Sequence, residues 1–180
     1  MEVKACLTTR RSVRQFTDRP VTREQLEELV TLASYAPSWK NSQTVRYTAV
    51  TDTDLKRRLA EDCTMGFSHN REIMESAAAV IVLRTVKGRS GYERDGSPTT
   101  SKGEHWQSFD AGIAAATFCL AAHELGLGTV IMGIYDEERV AALLSIPPEE
   151  GVSALIALGE PAQIPDPPKK KGVSELLQLR

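Results

Sequence analysis

The stretch "FDAGIAAATFCLAAHELGLGTVIMGI", residues 109–134, restricts the fold more than any other part of the chain. Its first half is apolar nearly all round and rich in alanine over the length of a helix. A helix with no polar face has to be buried, and small side chains let another backbone come close. Gly126 ends the helix. "GTVIMGI" (128–134) follows without polar alternation, as a buried strand should. Helix and strand together require a sheet with helices stacked on it.

The remaining segments supply the other layers. "AAVIVL" (78–83) is a second strand covered on both faces, "TVRYTAVT" (44–51) alternates and is β-branched, and "VSALIALG" (152–159) is a further strand. A short helix carries Val3, Cys6 and Leu7 near the start. The best-marked helix opens with a capping box, Thr22 with Gln25, and a staple of Val21 on Leu26. Its apolar face is Leu26, Leu29, Val30 and Ala33, and Pro37 stops it after Ala36. Helices are expected over 54–63 and 70–76, and from the cap Asp136 to Leu144. Residues 87–104 are rich in Gly, Ser and charge and read as a long mobile loop. These elements predict one α+β domain over residues 1–180, with a small mixed sheet covered by helices. The proline-rich tail, 160–180, is expected to be extended, to end in a short amphipathic helix and to pack on a partner subunit.

A net charge of −2 over 180 residues argues against a general nucleic-acid binder, which would be basic. No apolar run is long enough to span a bilayer as a helix, and "MEVKACLTTRR" lacks the apolar stretch of a secretory signal. Three cysteines, Cys6, Cys63 and Cys119, are an odd number without paired spacing and read as reduced thiols of a cytoplasmic protein.

Against that near-neutral background, "TTRRSVRQF" (8–16) concentrates Arg10, Arg11, Ser12 and Arg14. Two readings are open. The arginines could offset the C-terminal dipole of the first helix, or they could form an anion pocket, since guanidinium groups hold phosphate in a bidentate fashion and a serine adds a hydroxyl. A second basic run, Lys169-Lys170-Lys171, would complete such a pocket if the chain ends meet. Other chemistry is thin. His69, His105 and His123 have no metal-site spacing, and Cys119 with His123 lies on an apolar helix that suits a core role. No serine sits in a nucleophile elbow, and "GLGTVIMG" follows a helix rather than a strand, unlike a dinucleotide fingerprint. Such a chain is expected to borrow its chemistry from a cofactor.

Four segments in order carry a resemblance: "RRSVRQF" (10–16), "PVTREQLEELVTLASYAPSWKNSQ" (20–43), "FDAGIAAATFCLAAHELGLGTVIMGI" (109–134) and "ALIALGEP" (154–161) with the lysines behind it. Together they resemble the FMN-dependent nitroreductase family across essentially the whole chain. The resemblance implies a homodimer with FMN at the subunit interface, reduced by NADH or NADPH and reoxidised by a small acceptor such as a nitroaromatic or quinone. The alternative is a flavin carrier or sensor without turnover. By position, Arg10 and Ser12 match phosphate and ribityl ligands with Arg11 beside them. Arg14 matches the cation near the flavin N1 and O2 edge, where the reduced flavin carries negative charge. Pro37, Ser38, Asn41 and Gln43 match the segment reaching the flavin from the partner subunit, with Lys40 in the same loop. Asn70 matches an asparagine that meets the flavin, and Met132 and Gly133 match the backbone facing N5. Lys169 and Lys170 match a second phosphate clamp, the choice among the three lysines staying open. Gln43-Thr44-Val45-Arg46 departs from the Gln-Pro-Trp of many relatives. Tyr92, Arg94 and Lys102 are candidates for substrate contact, on the implied wall of the pocket. No metal, nucleic acid or membrane is implied.

Overall fold

The computed structural model describes all 180 residues. Helix α1 (Val3–Thr9) leads through an extended segment to α2 (Arg23–Ala33) and a 3-10 turn over Trp39–Asn41. Strand β1 (Val45–Val50), α3 (Thr53–Asp62), α4 (Ser68–Ser76), β2 (Ala79–Val86), α5 (His105–Glu124), β3 (Gly128–Met132), α6 (Glu137–Leu143), β4 (Glu150–Gly159) and α7 (Val173–Leu176) follow.

The capping box is present in both directions: Gln25 N–H donates to Thr22 Oγ1 at 3.2 Å and Thr22 N–H to Gln25 Oε1 at 2.9 Å. Val21 and Leu26 both pack on the core below. The helix closes at Ala33 rather than Ala36, the intervening residues forming a turn. Val30, expected on the inner face, is exposed.

The four strands lie in the order β1-β2-β4-β3 and every neighbouring pair is antiparallel. Strands interleaved with helices predict parallel pairs, so the expected mixed sheet is corrected. α5 does return the chain in the same direction, but β4 inserts between β2 and β3 and makes each adjacent pair antiparallel. The one parallel pairing is an isolated bridge, Ser12 with Thr129.

Both faces of the sheet are covered. Ile81, Leu83, Ile156 and Leu158 pack with Leu29 of α2 and Phe118 of α5 on one side. Val80, Val82, Leu155 and Val130 pack with Leu59, Ile73 and Val140 of α3, α4 and α6 on the other. That double cover is why β2 and β4 read as continuous apolar runs. α5, expected to be buried all round, is not so within one chain. Phe109, Gly112 and Ala116 stay exposed, one stripe at helical spacing.

Residues 87–104 are not the mobile loop their composition suggests. Ser90 is fully buried and donates to Asp110 Oδ2 at 2.7 Å. Gly88 N–H donates to Gln107 Oε1 at 2.6 Å, and Trp106 Nε1 to Thr100 Oγ1 at 2.9 Å. Gly91 has φ +84, and a Cβ there would stand 2.5 Å from the Gly103 carbonyl oxygen. Polar side chains that would otherwise face water tie the segment to the start of α5.

Candidate functional site

The arginines are set by the edge of β3. Val13 and Phe16 turn inward and are buried, while Arg14 and Gln15 face out. Val13 N–H donates to the Thr129 carbonyl at 3.0 Å, and its side chain lies over Gly128. Phe16 packs on Gly159 and bridges Pro161. Ala162 N–H donates to the Gln15 carbonyl at 2.9 Å, so the tail starts alongside the arginine segment. The chain ends therefore meet.

Between them lies a cleft of about 600 Å³ that includes Arg10, Arg11, Ser12, Arg14 and Lys170 in its lining. Its size falls within the roughly 300–1,000 Å³ of small-molecule and cofactor clefts. Lys170 is the lysine that lines it; Lys169 does not. Asp166 also lines it and offsets part of the positive field.

The two readings of the arginine cluster divide between its members. Arg11 Nη1 donates to the Thr8 and Arg10 carbonyls at 2.8 and 2.9 Å, so one arginine does cap the C-terminal end of α1. Its Nε is buried without a partner. Arg14 donates only to the Ser12 carbonyl, and the Arg10 guanidinium has neither hydrogen bond nor ion pair. A half-buried cation without an anion is costly, and phosphate would satisfy Arg10 and the orphaned Arg11 Nε together. By donor chemistry and size, the cleft fits a phosphate-bearing cofactor such as FMN.

The other expected ligands stand elsewhere on the chain. Pro37, Ser38 and Gln43 line a separate cleft of about 370 Å³ with Arg46. Lys40, Asn41 and Gln43 have φ of 45, 53 and 47, left-handed conformations that nonglycine residues seldom adopt. Asn70 is buried and its Nδ2 donates to the Ile134 carbonyl at 2.9 Å, fixing the chain just beyond β3. The Met132 side chain is buried in the core. Gly133 is exposed and its N–H has no acceptor within the chain. Of the remaining candidates, Tyr92 lines the largest cleft, about 740 Å³ between the sheet and α5, which gathers no cation cluster. Lys102 lies over the Trp106 ring at 5.0 Å.

Sequence reasoning missed Asp110. Both its carboxylate oxygens accept from Trp39 N–H, at 3.1 and 3.0 Å, and Oδ2 also accepts from Ser90. It ties the 37–43 loop to α5. A carboxylate just ahead of the apolar, alanine-rich part of the helix was the available signal. Burial pushes the Cys63 and Cys119 thiols up, which favours the neutral thiol at both. The three cysteines are free and buried, no group of side chains could hold a metal, and no helix is long and apolar enough to cross a membrane.

Helices on both faces of an antiparallel sheet, with a cleft lined by unpaired cations, define an α+β protein with room for an anionic group. The chain belongs to the nitroreductase family, whose family model matches residues 7–75 and 68–160. It is 30% identical over 182 residues to an NADH dehydrogenase of Thermus thermophilus, covering 91% of this chain and 88% of that one. An NADPH-flavin oxidoreductase of Vibrio harveyi is 31% identical over 163 residues, covering 87% of this chain and 64% of that protein. A nitroreductase-type protein of Desulfovibrio desulfuricans solved in complex with FMN superposes with a TM-score of 0.79 at 27% identity, over 100% of this chain and 97% of that one.

Proposed function

We propose that the protein is an FMN-dependent oxidoreductase that takes reducing equivalents from NADH or NADPH and passes two electrons to a small acceptor, a nitroaromatic or a quinone. The carrying observation is the cleft where Arg10, Arg11, Ser12 and Arg14 meet Lys170 with no carboxylate paired to any of the arginines. When bound, the flavin supplies the hydride-accepting centre.

Arg10, Ser12 and Lys170 hold the phosphate, with Arg11 Nε as a further donor. Arg14, in the lining of the same cleft, would add a fixed positive charge that favours a reduced, anionic occupant. Gly133 offers a free backbone N–H that needs no side chain to aim it, and the bond from Asn70 to Ile134 keeps that stretch in place. Positioning and electrostatics carry the first half-reaction, so no side-chain acid or base is required.

The arginine cleft and the 37–43 cleft share no residue within one chain. A homodimer packed along the Phe109, Gly112 and Ala116 stripe of α5 would bring the 37–43 loop of one protomer to the cofactor of the other. The tail, with Val173, Leu176, Leu177 and Leu179 exposed, would cover the partner. The test is to add NADH and NADPH separately to the yellow purified protein without oxygen, then a nitro compound. Bleaching followed by recovery of the colour supports the reading. If neither nucleotide bleaches a bound flavin, the protein is a flavin carrier and the reductase reading is lost.

A further inference from the structure

We propose that His123 is a positioning residue of the arginine cleft that links its occupancy to a proton: an anion held by Arg10 and Arg11 draws a proton onto His123. The inference rests on the reading of that cleft as the FMN phosphate site. His123, in the last turn of α5, has its Nε2 2.7 Å from Thr9 Oγ1. Thr9 is the last residue of α1, and Arg10 follows it directly. The imidazole thus anchors the entry into the arginine segment.

The Thr9 hydroxyl lies 2.7 Å from both the Ala5 carbonyl and His123 Nε2 and has one hydrogen to give. The protonated ring donates from Nε2 to Thr9 and leaves that hydrogen for Ala5, so the contact survives protonation whichever tautomer the neutral ring adopts.

The charges around the ring are lopsided. His123, Arg10 and Arg11 line one cleft of about 210 Å³, and the two arginines also line the larger phosphate cleft. Met1 lines the same cleft, and its amino group is paired with Glu124 beside His123. β3 presents Thr129, and the tail presents Pro161 and Ile164, none of them charged. Burial first, then Arg10 and Arg11, hold the imidazole below its ordinary range, with Glu124 opposing. An anion among the arginines removes their repulsion and leaves the proton site otherwise unchanged. By linkage, the anion must then bind more tightly to the protonated form.

The chain has three histidines, so each ring can be followed by NMR titration of the full-length protein with and without FMN. On FMN binding the His123 pKa should rise. A His123 value that stays or falls overturns the proposal. The second measurement is the FMN Kd at pH 8 and pH 6 for wild type and His123→Gln, which keeps an N–H donor for Thr9. The FMN phosphate titrates in the same range in both proteins, so the linkage is read in their ratio. Wild type should gain about fivefold over the variant on going to pH 6, the low end of ordinary coupling between linked ligands. A flat ratio refutes it. If no flavin binds, inorganic phosphate replaces it: a His123 shift then upholds the linkage while the FMN reading falls, and no shift sinks both.

Discussion

Gly128 is where the arginine segment is most exposed to a single atom. In Gly128→Ala the new Cβ would stand 2.8 Å from both Val13 Cβ and Cγ2 and 2.9 Å from Cγ1, inside any real carbon contact. Val13 cannot rotate clear, because a β-branched side chain is stiff at χ1 and its backbone is held to Thr129 at 3.0 Å. The segment must lift from the edge of β3, carrying Arg10, Ser12 and Arg14 with it. Overpacking of this kind costs about 1–3 kcal/mol of stability. Displacing even one charged hydrogen bond to the phosphate costs a further ~1.5–3 kcal/mol of affinity, roughly 10- to 150-fold in Kd. Fluorescence titration of FMN measures the second and thermal unfolding of the apoprotein the first. Val13→Ala in the same background removes the two colliding methyl groups and should restore part of the affinity. An unchanged Kd in Gly128→Ala, or no recovery in the double variant, would refute the steric route from β3 to the cleft.

Arg10→Ala should weaken FMN by about 1.5–3 kcal/mol, the scale of a charged hydrogen bond, and an unaltered titration would remove Arg10 from the site. Arg14→Ala should lower the flavin midpoint potential more than it weakens binding; potentiometry showing the wild-type midpoint would discard its electrostatic role. Ala116→Glu places a charge on the open stripe of α5. In a lone chain such a surface change stays within about ±0.5 kcal/mol, so conversion to monomer in the ultracentrifuge is expected only if that stripe is the dimer contact. The depressed His123 makes the apoprotein bind fewer protons there than the unfolded chain does. That contribution to stability is present above the ordinary histidine range and fades as the pH falls through it. His123→Gln should flatten this part of the Tm-against-pH curve, and an identical slope would count against it.

Local chemistry made much of this protein legible in its residues. The capping box of Thr22 and Gln25 and the stop after the long helix come from contacts between near neighbours, the covered strands show as continuous apolar runs, and each lies within a few residues of its expected place. The density of Arg10, Arg11, Ser12 and Arg14 likewise needs no fold to be noticed. Asp110 and Ser90 were not legible in that way. Their partners are 71 and 20 positions off along the chain, and neither periodicity nor spacing reports such a pairing.

The sequence by itself determined that helices would sandwich a sheet and that positive charge would be concentrated near the start of the chain, because burial and charge density are properties of short stretches. Only the tertiary structure decided that β4 would slip between β2 and β3. It also decided that Ala162 would meet Gln15, and that Lys170 rather than Lys169 would face Arg10 across the cleft. Those outcomes depend on how covered faces stack and on hydrogen bonds left open at the edge of β3, which exist only once distant segments have come together.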